Sequence, residues 1–163
     1  MKFLTSTYLK DIEKYKLSIF LEERYCITVK KIIKIKKPFI LREENMDITI
    51  IDNGYYILEF MPFDEKYICR IHIDKNKKII ERFYIASKKN SIIDGIPVFE
   101  DLKISYVNVL LSNSFKFYNI EYAKKVLNAE DYLFAMNQIN KVKKEIENKS
   151  NYIYNLNYKK YLI

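Results

Sequence analysis

From Arg24 to Tyr118 apolar side chains recur with a period of two, broken at short intervals by turn residues. That alternation confines the segment to antiparallel strands, since successive strand side chains point to opposite faces and only one face needs burial. Tyr25–Val29 and Ile32–Ile35 read as strand material that ends before Pro38. Met46–Asp52 and Tyr55–Met61 flank Asn53-Gly54, a dipeptide suited to a type I′ hairpin because both central residues need positive φ. Pro62 ends the second of these strands. Lys66–Ile73 and Lys78–Ile85 are expected to pair across Asp74–Lys77, and Leu102–Leu111 with Phe115–Tyr118 across Ser112–Ser114.

Helical spacing flanks this region. Phe3, Leu4, Tyr8, Leu9, Ile12, Tyr15 and Ile19 fall at three- and four-residue intervals, as on an amphipathic helix. Beyond Asn119 the spacing is helical again: Asn128 can cap a helix, Asp131 follows, and Tyr132, Ala135, Ile139, Val142 and Ile146 line one face. The expected fold is one α+β domain over residues 1–163. An N-terminal helix (1–23) precedes a curved antiparallel β-barrel (24–118), then helices (119–148) and a Tyr/Asn-rich tail (149–163).

Composition fits an ordinary globular domain: 163 residues, 49% hydrophobic and 31% charged, with two Gly and three Pro. No apolar run reaches the roughly 18 residues of a membrane-spanning helix. Lys10, Asp11, Glu13 and Lys14 interrupt any signal-peptide core. Cys26 and Cys69 lie far apart among β-branched and aromatic residues, as expected of buried free thiols in a reducing cytoplasm. The net charge of +8 reflects a chain rich throughout in Lys, Ile, Asn and Tyr, the bias of an AT-rich genome, and so does not by itself indicate nucleic acid.

No P-loop, GxGxxG or GxSxG is present. His72, the only histidine, shares a strand face with Arg70 and Asp74, and a hydrogen-bonded or solvent-facing strand histidine accounts for it. Lys30, Lys31, Lys34, Lys36 and Lys37, near Tyr25 and Phe39, could track a phosphate backbone. A solvated strand edge guarded by lysines is the preferred reading.

Asp52–Pro62, Phe83–Ala86 and Asp94–Leu111, followed by the helix start Asn128–Tyr132, resemble the FomD-like family, long catalogued as a domain of unknown function and including nucleoside tri- and diphosphatases. The resemblance runs in order and spacing over residues 46–146. It implies a β-barrel-like core with helical flanks and a Mg²⁺ or Mn²⁺ site at one barrel end. Such metals, held by several carboxylates, neutralise the transferred phosphoryl group and orient water. The position of the family's first strand ligand holds Ala86; on the next strand Asp101 is retained, with Lys103 and Ser105 at the following same-face positions. The family's acidic helix start falls on Tyr118–Tyr122, where Asn119 and Glu121 are weak substitutes and Tyr122 replaces a Glu.

Asp101, Lys103, Ser105, Ala86 and Tyr122 are therefore expected to form a remnant site, in which the Lys103 ammonium takes the cation's place. An outward-facing Asp101–Lys103 ion pair is the plainer alternative. The preferred function is a binding or regulatory domain without metal-dependent phosphohydrolase activity, and no cofactor is expected. The alternative is a Mg²⁺- or Mn²⁺-dependent hydrolase of nucleoside phosphates using Asp101, Asn119 and Glu121. The sequence identifies no partner; a phosphorylated small molecule is the candidate, with no membrane contact, and single-stranded RNA ranks behind both functions.

Overall fold

Two sheets and two helices make up the computed structural model, which describes residues 2–3 and 10–162. The strands are β1 (Lys2–Phe3), β2 (Ile12–Leu21), β3 (Tyr25–Ile35), β4 (Phe39–Arg42), β5 (Asp47–Ile51), β6 (Tyr56–Pro62), β7 (Tyr67–Ile73), β8 (Ile79–Ile93), β9 (Ile96–Val109) and β10 (Ser114–Tyr118). The helices are α1 (Ile120–Val126) and α2 (Ala129–Glu147), followed by 3₁₀ turns at Tyr152–Asn155 and Tyr158–Tyr161. Eight strands form an antiparallel sheet in the order β1-β9-β8-β7-β6-β3-β2, with β10 also on β9, while β4 and β5 pair separately. The sheet does not close, so the α+β class holds and the expected barrel is an open, layered sheet.

One sheet face packs against the helices. Leu58, Phe60, Tyr67, Cys69, Ile71, Tyr84, Leu102 and Ile104 meet Ala135, Ile139, Val142 and Ile146 of α2 and Ile153, Tyr161 and Leu162 of the C-terminal segment. The opposite face carries Ile32, Ile57, Val107 and Val109, covered by Ile48, Ile50 and Ile51 of the β4–β5 hairpin. Both thiols are free and buried, and burial pushes Cys26 up to about 11 and Cys69 to about 12.

The β7–β8 and β9–β10 pairings agree with the turn pattern. Asn128 caps α2 as expected, its Oδ1 accepting the Asp131 N–H at 2.8 Å. Two further expectations are corrected. Ile12–Leu21 is a strand, not part of an N-terminal helix, while residues 1 and 4–9 lie outside the described residues. Tyr15, Leu17, Ile19 and Leu21 also fit a period of two, and β-branched and aromatic residues favour the pleated backbone once β3 offers a pairing edge. Asn53-Gly54 does not join paired strands: β5 pairs with β4, and β6 with β3 and β7. Only Gly54 has positive φ there, so the type I′ geometry is not met. Asn53 Oδ1 instead accepts the Ile35 N–H at 2.9 Å, fixing a corner between the two sheets.

The turn with the hairpin signature is Asp94-Gly95, whose φ values of 51° and 77° are both positive and which joins β8 to β9. Gly95 has open space around a hypothetical Cβ, so backbone strain alone sets the cost of filling it. Gly95→Ala should therefore destabilise the fold by about 1–2 kcal/mol, read as a lower midpoint in urea unfolding with an unchanged slope.

Candidate functional site

Five ionisable side chains lie buried on the sheet face opposite α2: Lys30 on β3, Glu59 on β6, Arg70 and His72 on β7, and Glu81 on β8. Strand register brings them together. Glu59 pairs with Arg70, and His72 with Glu81, each across adjacent antiparallel strands. Arg70 Nη2 donates to Glu59 Oε2 at 3.2 Å, and His72 Nδ1 lies 2.9 Å from Glu81 Oε1. Burial holds the Glu59 carboxyl above its ordinary range against the pull of Arg70, and burial lowers Lys30. The Lys30 ammonium sits 4.7 Å from the centre of the Tyr15 ring, a cation–π contact.

Beside this belt, between the large sheet and the β4–β5 hairpin, is a cavity of about 530 Å³. Arg70, His72, Glu81, Phe83 and Val107 form its floor, and Phe39, Leu41 and Ile51 of the hairpin its roof. Lys10, Asp11, Ile35, Lys37 and Tyr118 complete the lining. The Phe83 and Tyr118 rings lie 6.1 Å apart, tilted by 33°, giving the cavity an aromatic wall. The volume and the apolar lining with a few converging polar groups suit a small-molecule site.

His72 is thus a buried, hydrogen-bonded strand histidine that also lines the cavity. The lysines near Pro38 do not guard a sheet edge, although Lys34, Lys36 and Lys37 are exposed. β3 lies between β2 and β6, Lys30 is buried, Lys34 pairs with Glu13 at 2.8 Å, and Lys31 lies 5.6 Å from the Tyr56 ring.

Along β9 the register jumps between the Ile85–Ser105 and Ser87–Asp101 pairs, and Lys103 sits in the bulge with φ of 71°. The bulge folds Lys103 back on Asp101: its N–H donates to Asp101 Oδ1 at 2.7 Å and its Nζ lies 3.7 Å from Oδ2. Tyr118 pairs with Ser105, which sets Asn119, Glu121 and Tyr122 at the start of α1, next in the chain after that level of β9. The residues do not share one face. Ala86 belongs to the core cluster facing α2 with Leu102 and Ile104, whereas Ser105 pairs with Ile85, which packs in a separate cluster with Cys26, Met61, Ile68 and Phe99. The bulge breaks the simple alternation that would have aligned them. Tyr122 is exposed.

A hard divalent cation takes about six oxygen ligands, several from carboxylates. Among the described residues no three His, Cys, Asp or Glu side chains gather as a metal-binding group, and Asp101 already faces an ammonium. This donor set does not fit Mg²⁺ or Mn²⁺.

No family model and no curated protein matches the sequence. The solved structures that match the fold include two with a bound nucleotide. FomD in complex with CDP has a TM-score of 0.60 at 10% identity, over 85% of this chain and 78% of that one. The phosphatase SC4828 with the non-hydrolyzable nucleotide GPCP has a TM-score of 0.63 at 6% identity, over 87% and 77%. The chain has a FomD-like fold. Within that fold the cavity of this chain is built by residues from seven strands and the segments flanking them, none of which forms a local motif; the one legible signal was the alternation Arg70–His72 on β7.

Two outcomes follow. Glu59 keeps its proton in the native state through a window, from about pH 4.5 up to its raised value, in which the unfolded chain has lost it. Its contribution to stability is therefore present below that window and lost as pH rises through it. Glu59→Gln should flatten this slope in urea unfolding followed across pH. Ala86→Asp, which would rebuild a family carboxylate, places a charge in the helix-packed core and should cost about 3–5 kcal/mol, seen as a collapse of the melting temperature.

Proposed function

We propose that this chain is a divergent FomD-fold domain that binds a phosphorylated small molecule of nucleotide type and does not carry out metal-dependent phosphohydrolysis. The observation that carries this reading is the Lys103 ammonium 3.7 Å from the Asp101 carboxylate. At a site where the resemblance implies a cation, the chain supplies its own positive charge, fixed by a bulge that also directs the Lys103 N–H onto the same carboxylate. An ammonium neutralises charge as a donor of hydrogen bonds, but it does not lower the pKa of a bound water as a divalent metal does.

The cavity supports the binding half of the proposal. Lys10 and Lys37 at its wall attract an anion, the Arg70 guanidinium lies deeper, and Phe39, Phe83 and Tyr118 offer faces for a flat ring. Asp11 and Glu81 supply acceptors for sugar hydroxyls or ring N–H groups and disfavour ligands of very high negative charge. FomD and the phosphatase SC4828, two structures of this fold, were solved with a nucleotide. Ser105 precedes Val107 by two residues on β9, about 7 Å, so the cavity wall leads back toward the bulge that holds the ion pair.

Calorimetric titration with CDP, with and without Mg²⁺, tests the proposal together with a hydrolysis assay over nucleoside di- and triphosphates. Binding should be the same in both titrations, and no phosphate should be released. The double substitution Lys10→Ala, Lys37→Ala should weaken binding by about tenfold or more, the loss of a charge-assisted contact. Robust Mg²⁺-dependent hydrolysis by the unmodified protein, abolished by Asp101→Ala, would overturn the reading.

A further inference from the structure

Among the described residues, the β4–β5 hairpin that roofs the cavity pairs with no strand of the large sheet. Both its ends leave from one corner, where Asn53 Oδ1 accepts the Ile35 N–H at 2.9 Å and the Lys36 N–H donates to the Asp11 carbonyl at 2.8 Å. Its two strands are held unequally. On β5, Ile48, Ile50 and Ile51 are buried in the core against the sheet. On β4, Phe39, Ile40 and Arg42 are exposed and Leu41 is half-buried, and among the described residues β4 pairs with β5 alone. That pairing is itself irregular between Phe39 and Ile40. Phe39 and Leu41 line the cavity. β5 is thus fixed by its packing, while β4 overhangs the cavity as a loosely held margin.

Glu43 follows β4 directly. The turn is exposed at Glu44, Asn45 and Met46, but the Glu43 side chain points inward and is only 14% exposed. Three donors from the β9–β10 hairpin converge on its carboxylate. Ser112 Oγ donates to Oε1 at 3.5 Å, Ser114 Oγ to the same oxygen at 3.3 Å, and Lys116 Nζ to Oε2 at 3.4 Å. These bonds are long and Lys116 is half exposed, so together they hold β4 down but part at small cost. Tyr118, at the end of β10, also lines the cavity, so Glu43 ties the roof to the wall. We propose that β4 is a flap over the cavity and that Glu43 is its latch. When the carboxylate parts from Ser112, Ser114 and Lys116, β4 peels from β5 and uncovers the cavity. The flap then gates entry and release of the ligand, a role that rests on the ligand-binding reading above, whereas the latch itself does not.

Hydrogen exchange of the free protein reads the latch without any ligand, because the amides that pair β4 with β5 exchange through local opening. Glu43→Ala should speed exchange in residues 39–42 by about tenfold and leave α2 unchanged. Lys116→Met, at an exposed position, should act in the same direction by about threefold, and it decides the matter if Glu43→Ala does not fold. Glu44→Ala, which removes the neighbouring exposed carboxylate of the same turn, should change neither region. Stopped-flow mixing with CDP reads the gate. Glu43→Ala should raise the association and dissociation rates together, so that Kd moves less than either rate. The latch is refuted if residues 39–42 exchange no faster in Glu43→Ala and Lys116→Met than in the unmodified protein, or if α2 speeds up equally. Faster exchange with an unchanged association rate would overturn the gate. Absence of any CDP binding would overturn the ligand reading and the gate with it, while the exchange comparison still decides the latch.

Discussion

Asp94 and Gly95 both adopt positive φ, which turns the chain within two residues and lays Ile96–Val109 back along Ile79–Ile93. These are the two longest strands, of 15 and 14 residues, and most other features attach to them. β7 pairs with the far edge of β8; β1 and β10 pair with the far edge of β9; α1 and α2 pack on them. Because the turn sets the register, it also sets where the strands fall out of step. The excess residues gather at Asp101–Lys103, and the bulge there gives the ion pair its geometry. A turn of two residues thus fixes a feature some distance away along the strand.

The buried charges on the other face pose an energetic problem that the sheet answers by register. Removing a carboxylate or an ammonium from water costs several kcal/mol per ion, repaid only by close partners. Glu59 has Arg70 at 3.2 Å, and His72 has Glu81 at 2.9 Å, each directly across a strand pair. Well-packed apolar residues at these positions would serve stability as well or better. A belt of charge along a cavity wall is therefore not accounted for by stability alone.

Legibility in the sequence follows how local each feature is. The α2 cap is local: Asn128 meets an amide three residues on, and both the cap and the face Ala135–Ile139–Val142–Ile146 were readable. So were β7 and β8, where alternation and the turn Asp74–Lys77 agree. Ile12–Leu21 was ambiguous because Ile12, Tyr15 and Ile19 suit a helix while Tyr15, Leu17, Ile19 and Leu21 suit a strand. Pairing with β3, a tertiary interaction, decides between them. Asn53-Gly54 and Asp94-Gly95 carry the same turn preference, and only the strands beyond them determine which becomes a hairpin. The candidate site was the least legible part. The residues near Asp101 were found through resemblance, but their division between two faces depends on a bulge that alternation cannot foresee. The cavity joins β3, β4, β5, β7, β8, β9 and β10, and no stretch of sequence contains it.

The C-terminal segment closes the helix-side core from far along the chain. The Tyr161 hydroxyl donates to Glu22 Oε1 at 2.9 Å and lies 3.1 Å from that of Tyr25, at the β2–β3 turn, while Tyr152 stacks on Phe60. The two Tyr161 contacts link residues separated by more than 130 positions. The loop they close is nearly as long as the described chain, so its entropy must be surrendered before the clasp returns any energy. During synthesis, the strands that emerge early keep Phe60 and Tyr25 uncovered until Tyr161 and Leu162 have been made. The patch around Tyr25 and Phe60 thus receives its cover last, and the tyrosines of this segment complete a core that the sheet and α2 begin.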